Sequence, residues 1–265
     1  MNDTKSYIKS LLEIHDDASK TMNPCPSFIR ITTITALTKI HCGTDLLDME
    51  KIREAFKRKQ IVKRNGVGVF VWSLKENGFY NQATVEYTDV YSKKSIKIFP
   101  NCTIHITGCS NINDCNRTIK QLCAIFNKIF GLDNVRCDEC RIVMINTNFS
   151  INSVLNLSRI ISSMKATGAV VTFNPETYSA VKVKFQPEPG MKMITASIFS
   201  SGKIIVTGAV NLREIIAAYR FILKTIKSDS GTRMKSTEDI DVFPNFMGFS
   251  FDEYWRDEVR DIKSW

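Results

Sequence analysis

The residues that could do chemistry are few and poorly spaced for it. The three histidines, His15, His41 and His105, form no HExxH pair, the spacing that puts two imidazoles on one helical face for zinc. Cys137-Asp-Glu-Cys140 is a lone CxxC. Zinc takes four ligands, so Cys25, Cys42 or His41 would have to fold back to complete a site; free thiols, with no metal, are the expected state. Ser201-Gly202-Lys203 ends like a phosphate-binding loop but lacks the leading glycine and sits in a hairpin-like stretch. No GxSxG element or carboxylate pair suggests acid–base or nucleophilic catalysis. The chain reads as a binding protein, not an enzyme, with no cofactor.

Two phenylalanines carry more information. Residues 96–108 read IKIFPNCTIHITG and residues 196–208 read ASIFSSGKIIVTG. Phe99 and Phe199, Thr107 and Thr207, and Gly108 and Gly208 share one offset of 100 residues. A fixed self-similarity of this kind marks repeated structural units. Alternation along a strand puts Lys97, Phe99, Thr103, His105 and Thr107 on one face, and Ser197, Phe199, Lys203, Ile205 and Thr207 on the matching one. The opposite faces, Ile96, Ile98, Ile104 and Ile106 in one copy and Ile198, Ile204 and Val206 in the other, are wholly apolar and should meet helices. A phenylalanine on the mixed face, present in both copies, asks for a binding partner; taken singly, each would read as ordinary core packing.

The elements that must hold these faces follow the same order twice. Helical periodicity follows each hairpin, through Ile119, Leu122, Cys123 and Phe126, then through Ile215, Ile216, Tyr219, Ile222, Leu223 and Ile226. Asn111 and Asn211 suit N-caps, and Gly131 a helix stop. Strands are expected at 27–36, 80–87, 141–151 and 178–185, with helices at 46–59 and 153–166. The fold class is therefore α+β. The expected units are an N-terminal extension over 1–25, helical through Tyr7, Ile8, Leu11, Leu12 and Ile14; a first repeat over 26–131; a second over 132–227; and a linker with an acidic-aromatic tail over 228–265. Residues 60–78 form an insertion in the first repeat, read as an extra strand or a packed loop.

Net charge is +9. After residue 228 there are nine acidic and five basic residues, so the body carries the whole excess of positive charge. A basic body suits a polyanion, because each lysine or arginine at a phosphate releases counterions. Lys182 and Lys184 alternate with Val181, Val183 and Phe185, which gives a half-exposed strand with a basic outer row, there either for phosphate contact or for edge solubility.

The motif IFSSGKIIVTGA (198–209), with its degenerate copy IFPNCTIHITG, resembles the strand–turn–strand signature of the TATA-box-binding protein family. The element order extends the likeness over roughly residues 26–227. The extra terminal pieces look most like the divergent members from large DNA viruses. The resemblance implies a pseudo-twofold saddle, a curved ten-stranded antiparallel sheet with helices on its convex face. It also implies roles: Phe99 and Phe199 as wedges between base steps, with Tyr178 in the second half and Tyr80 or Phe79 in the first as the second wedges. Lys203 would contact phosphate or groove, and Thr107, Ile205 and Thr207 would line the groove. Lys97 shares that face, and Lys182 and Lys184 would meet phosphates. Asn146, with Asn148, lies near the place of the family's central asparagines. His105 and Thr103 stand where the family has an apolar residue and a lysine. This family is itself a type example of bending DNA by apolar wedges in the minor groove.

The implied partners are A·T-rich double-stranded DNA, a transcription-factor-IIB-like protein and RNA polymerase. The alternative is a saddle reused as a protein-interaction or virion component without DNA binding. The start MNDTKSYIKS has no apolar run and no segment has the length of a membrane span. The expectation is a reducing intracellular site: host cytoplasm or virion for a viral protein, nucleus for a cellular one. No membrane partner is implied.

Overall fold

Alternation of small apolar and polar residues shapes the central strand β1 (Arg30–His41), in which Ile34, Ala36, Thr38 and Ile40 are buried while Thr33, Thr35, Leu37 and Lys39 face the other way. The structure, a computed structural model, describes residues 2–64, 68–75, 81–88 and 92–233. After β1 come α2 (Met49–Lys57), β2 (Gln60–Arg64), β3 (Gly68–Leu74), β4 (Ala83–Thr88), β5 (Lys93–Ile98), β6 (Thr103–Cys109) and α3 (Ile112–Phe130). A two-residue strand β7 (Arg136–Cys137) then leads to β8 (Arg141–Ser150), α4 (Leu157–Ala166), β9 (Val170–Asn174), β10 (Tyr178–Phe185), β11 (Ile194–Ile198), β12 (Lys203–Ala209) and α5 (Leu212–Ser228). Helix α1 (Asn2–Thr21) precedes them all.

The strands form one antiparallel sheet in the order β2-β3-β4-β5-β6-β1-β8-β12-β11-β10-β9. The order mirrors itself about the β1–β8 pair, where Ile34 stands opposite Ile145. Twelve strands are present among the described residues where ten were expected. One extra is β2, the outer arm of a hairpin built from the inserted stretch; the other is β7, which pairs only Ile40 and His41 of β1. The insertion is not an ornament. Its Phe70 and Trp72 are buried, with Trp72 edge-on to Tyr87 at 4.9 Å.

The apolar strand faces meet helices as their patterning demands. Ile96, Ile98, Ile104, Ile106, Ile198, Ile204 and Val206 are fully buried, as are Ile119, Leu122 and Phe126 of α3 and Tyr219, Ile222 and Ile226 of α5. Each such side chain contributes about 1.5–3 kcal/mol. Helices α2 and α4 cover the outer strands of the two halves on that same face. Asn111 and Asn211 cap α3 and α5 by accepting from the N–H of Asp114 and Glu214. Asp114 and Glu214 reach back to the N–H of Ser110 and Val210, one residue before each cap, a variant of the capping box repeated in each half. Gly131 ends α3 in the left-handed conformation.

Helix α1 packs on α5 rather than on the sheet, through Leu11, Ile14, Ala18 and Met22, with Asp17 bonded to Lys227 at 3.1 Å. The segment read as a linker starts fixed to the body. Thr232 is buried, Asp229 accepts from Ser163, and Arg233 bridges to Leu155. The tail beyond Arg233 lies outside the described residues.

The repeated Thr-Gly pair has a backbone cause. Gly108 and Gly208 both take φ +103, beside register shifts between β6 and β1 and between β12 and β8. A Cβ on Gly108 would stand 2.8 Å from the Lys93 carbonyl oxygen. The motif marks a bulge that re-aims the strand, which only glycine accommodates.

Candidate nucleic-acid interface

One face of the sheet carries no helix, and the predicted site residues gather there. Rows across it follow from the register. In the first half Leu37, His105, Lys97 and Thr84 stand side by side, and so do Thr35, Thr107, Ser95, Glu86 and Ser73. In the second half the rows are Asn148, Ile205, Ser197, Lys182 and Thr172, and further along Thr207, Thr195, Lys184 and Val170. Lys97, Lys182, Lys184 and Lys203 are exposed, and Thr107, Ile205 and Thr207 half-buried. Asn146 pairs with Thr33 at the middle of the face, and neither Asn146 Oδ1 nor Thr33 Oγ1 has a hydrogen-bond partner.

Phe99 and Phe199 sit at the tips of the β5–β6 and β11–β12 hairpins, in matching turns. The N–H of each donates to the carbonyl four residues on, Thr103 for Phe99 and Lys203 for Phe199, both at 3.0 Å. Neither ring is beneath a helix; both are half-buried against neighbours at the sheet's edge. The Phe99 ring lies 4.7 Å from that of His105. The Phe199 ring meets Tyr178 edge-on at 5.8 Å, and Lys182 Nζ stands 4.7 Å over the Tyr178 ring. Tyr178 is thus brought to Phe199, with a cation on its outer side. Phe79 and Tyr80 lie outside the described residues.

The electrostatics of the two halves differ. His105 is held below its ordinary pKa of 6.5, first by burial and then by the Lys97 ammonium, so it is neutral at neutral pH. Glu86 puts a carboxylate on the same face, bonded to Lys93 at 3.0 Å and near Lys75 at 3.9 Å. The second half has Lys184 at that position and Ile205 in place of His105. Away from the face, Cys140 is buried and its thiol is pushed up to about 12 by that burial, with Cys115 and Cys137 as neighbours. His41 bonds Asp138 at 2.9 Å. Among the described residues no group of three or more His, Cys, Asp and Glu side chains could hold a metal ion.

Comparison with known proteins fits this geometry. The family model of transcription factor TFIID, or TATA-binding protein, matches residues 139–228. A TATA-box-binding protein-like protein of Acanthamoeba polyphaga mimivirus is 28% identical over 264 residues, covering 83% of this chain and 69% of that one. The TBP of Methanococcus jannaschii superposes with a TM-score of 0.50 at 20% identity, over 76% of this chain and 99% of the other. The chain is TATA-box-binding-protein-like. The TATA-box-binding protein of Thermoplasma acidophilum adds 29% identity over 137 residues, half of this chain and 70% of its own length. The family match falls on β8 through α5, the half that carries IFSSGKIIVTGA; the first half keeps the strand order. No described helix is long and apolar enough to cross a membrane.

Several residues of this face were not legible beforehand. Arg30 stands opposite Asn148 and Arg141 opposite Leu37, both exposed on the two central strands. Lys39 is exposed opposite Thr103. Their positions depend on which strands neighbour which, and no local motif carries that. Alternation within 80–87 does assign Glu86 to the polar side, but its place beside Ser95 and Lys93 needs the sheet order.

Proposed function

We propose that this chain is a transcription initiation factor that binds double-stranded DNA in the minor groove and bends it. The observation that carries this reading is the pair of phenylalanines in matching hairpin turns at the edge of one helix-free face, with exposed lysines beside them. Between the exposed Arg30 and Arg141 of the two central strands, that face offers Thr35, Thr107, Ile205 and Thr207, a lining suited to the shallow acceptor pattern of A·T pairs. Lysines nearer the edges suit phosphates, which position the protein without reading sequence. Phe199 and Tyr178 are the wedge set of the second half; Phe99, with Phe79 or Tyr80, is that of the first. The bent duplex would then recruit a transcription-factor-IIB-like protein and RNA polymerase. No bond is made or broken.

Gel shift with A·T-rich and G·C-rich duplexes, read beside fluorescence-detected bending, tests this. Binding with bending, stronger on the A·T-rich duplex, is expected. Failure to bind either duplex would overturn it. Glu86 favours the second reading, a saddle reused for protein contact, because a carboxylate on the face opposes phosphates.

A further inference from the structure

The helix side of the molecule carries a cleft of its own. A cleft of about 630 Å3 runs between α1 and α5. Its apolar wall comes from Ile14, Ala18, Met22 and Leu223, and its rim carries Arg220, Lys224 and Lys227 against Glu13 and Asp17. Lys227 is bonded to Asp17 and Arg220 reaches Glu188 at 3.5 Å, but Lys224 is exposed and has no carboxylate within salt-bridge distance among the described residues. An apolar floor with a spare cation calls for an occupant that is both aromatic and acidic.

We infer that this occupant is the chain's own C-terminal segment, residues 234–265. Two observations converge on it. The segment carries eight acidic against four basic residues, interleaved with Phe243, Phe246, Phe249, Phe251, Tyr254 and Trp255. Its point of departure is fixed at the end of the cleft: Ser228 lines the cleft, and five residues later the Arg233 guanidinium donates to the carbonyl of Asn23, next to the lining residue Met22. Tethering at that point raises the local concentration of the segment to the order of millimolar, so weak complementary contacts suffice. The aromatics bury against Ile14, Met22 and Leu223 while the carboxylates meet Lys224. Docked there, the segment covers α1 and α5 and leaves the helix-free face open, so this inference stands whether or not the chain binds DNA.

Zero-length carbodiimide cross-linking of the full chain, followed by peptide mass spectrometry, tests it. The expected links join Lys224 to carboxylates between Glu238 and Asp261 within one molecule, as judged from an equal mixture of 14N- and 15N-labelled protein. Arg220 cannot be linked by this chemistry, so Arg220→Glu leaves the Lys224 site intact. It should cut the yield of those links about two- to fivefold at low salt, the range of an exposed ion pair. Lys224→Ala abolishes them, and as an exposed substitution it leaves the fold alone. Tail links only to Lys182, Lys184 or Lys203, links only between molecules, or no tail links at all would each overturn the inference.

Discussion

His105 and Ile205 hold the same place in the two hairpins, and only His105 titrates. Burial, then Lys97, holds the His105 imidazole below its ordinary value. Below pH 6.5 the unfolded chain therefore binds more protons than the folded one, so stability present above that pH is lost as pH falls through it. Thermal melts between pH 7.5 and 5.5 should show a drop in Tm for the parent that is smaller in His105→Gln; equal slopes would assign the pH effect elsewhere. At the other tip, Phe199→Ala should lower DNA affinity about tenfold or more, as truncating a central aromatic anchor does, and should reduce bending in the residual complex. A variant that binds and bends like the parent rules Phe199 out as a wedge. Phe99 and Phe199 could be found from the sequence because a shared spacing is visible without a structure. Glu86, Arg30 and Arg141 could not be placed, because their company depends on strand register.

At the scale of the element, the two hairpin turns meet one backbone demand with different residues. Position 202 needs a left-handed backbone, φ +82, and a Cβ there would run into the Ser153 carbonyl oxygen. Gly202→Ala thus meets both strain and a backbone clash, and should cost about 1–3 kcal/mol, measured as a shift in the denaturant midpoint at unchanged slope. The first half has Cys102 in the same conformation, φ 64, with its side chain buried and its thiol donating to the Thr44 carbonyl. The paired long helices, their asparagine caps and the strands beneath them were legible because periodicity and capping are local. Strand β7 was not, since two residues have no period. The β2–β3 hairpin was legible only as an insertion, because its neighbour Tyr87 lies on another strand.

For the molecule as a whole the deciding quantity is where the charge sits. Lys39, Lys97, Lys182, Lys184 and Lys203 are exposed on the helix-free face, while Lys75 and Lys93 there lie beside Glu86. Each lysine that neutralises a phosphate steepens the log–log dependence of affinity on salt by about 0.9. Lys182→Ala with Lys184→Ala should therefore flatten the slope by about 1.8 and weaken binding to every duplex alike, since phosphate contacts carry no sequence information. Glu86→Gln acts in the opposite direction. It releases Lys75 and Lys93 and removes a charge that repels phosphate, so affinity at low salt should rise and the slope should steepen. Fluorescence titrations of one duplex across a range of salt concentrations read both variants. If Glu86→Gln leaves the slope unchanged while the double lysine variant flattens it, the first half lies off the DNA and the second half alone holds it. If neither variant moves the slope, phosphates do not touch this face at all, and the saddle serves a protein partner.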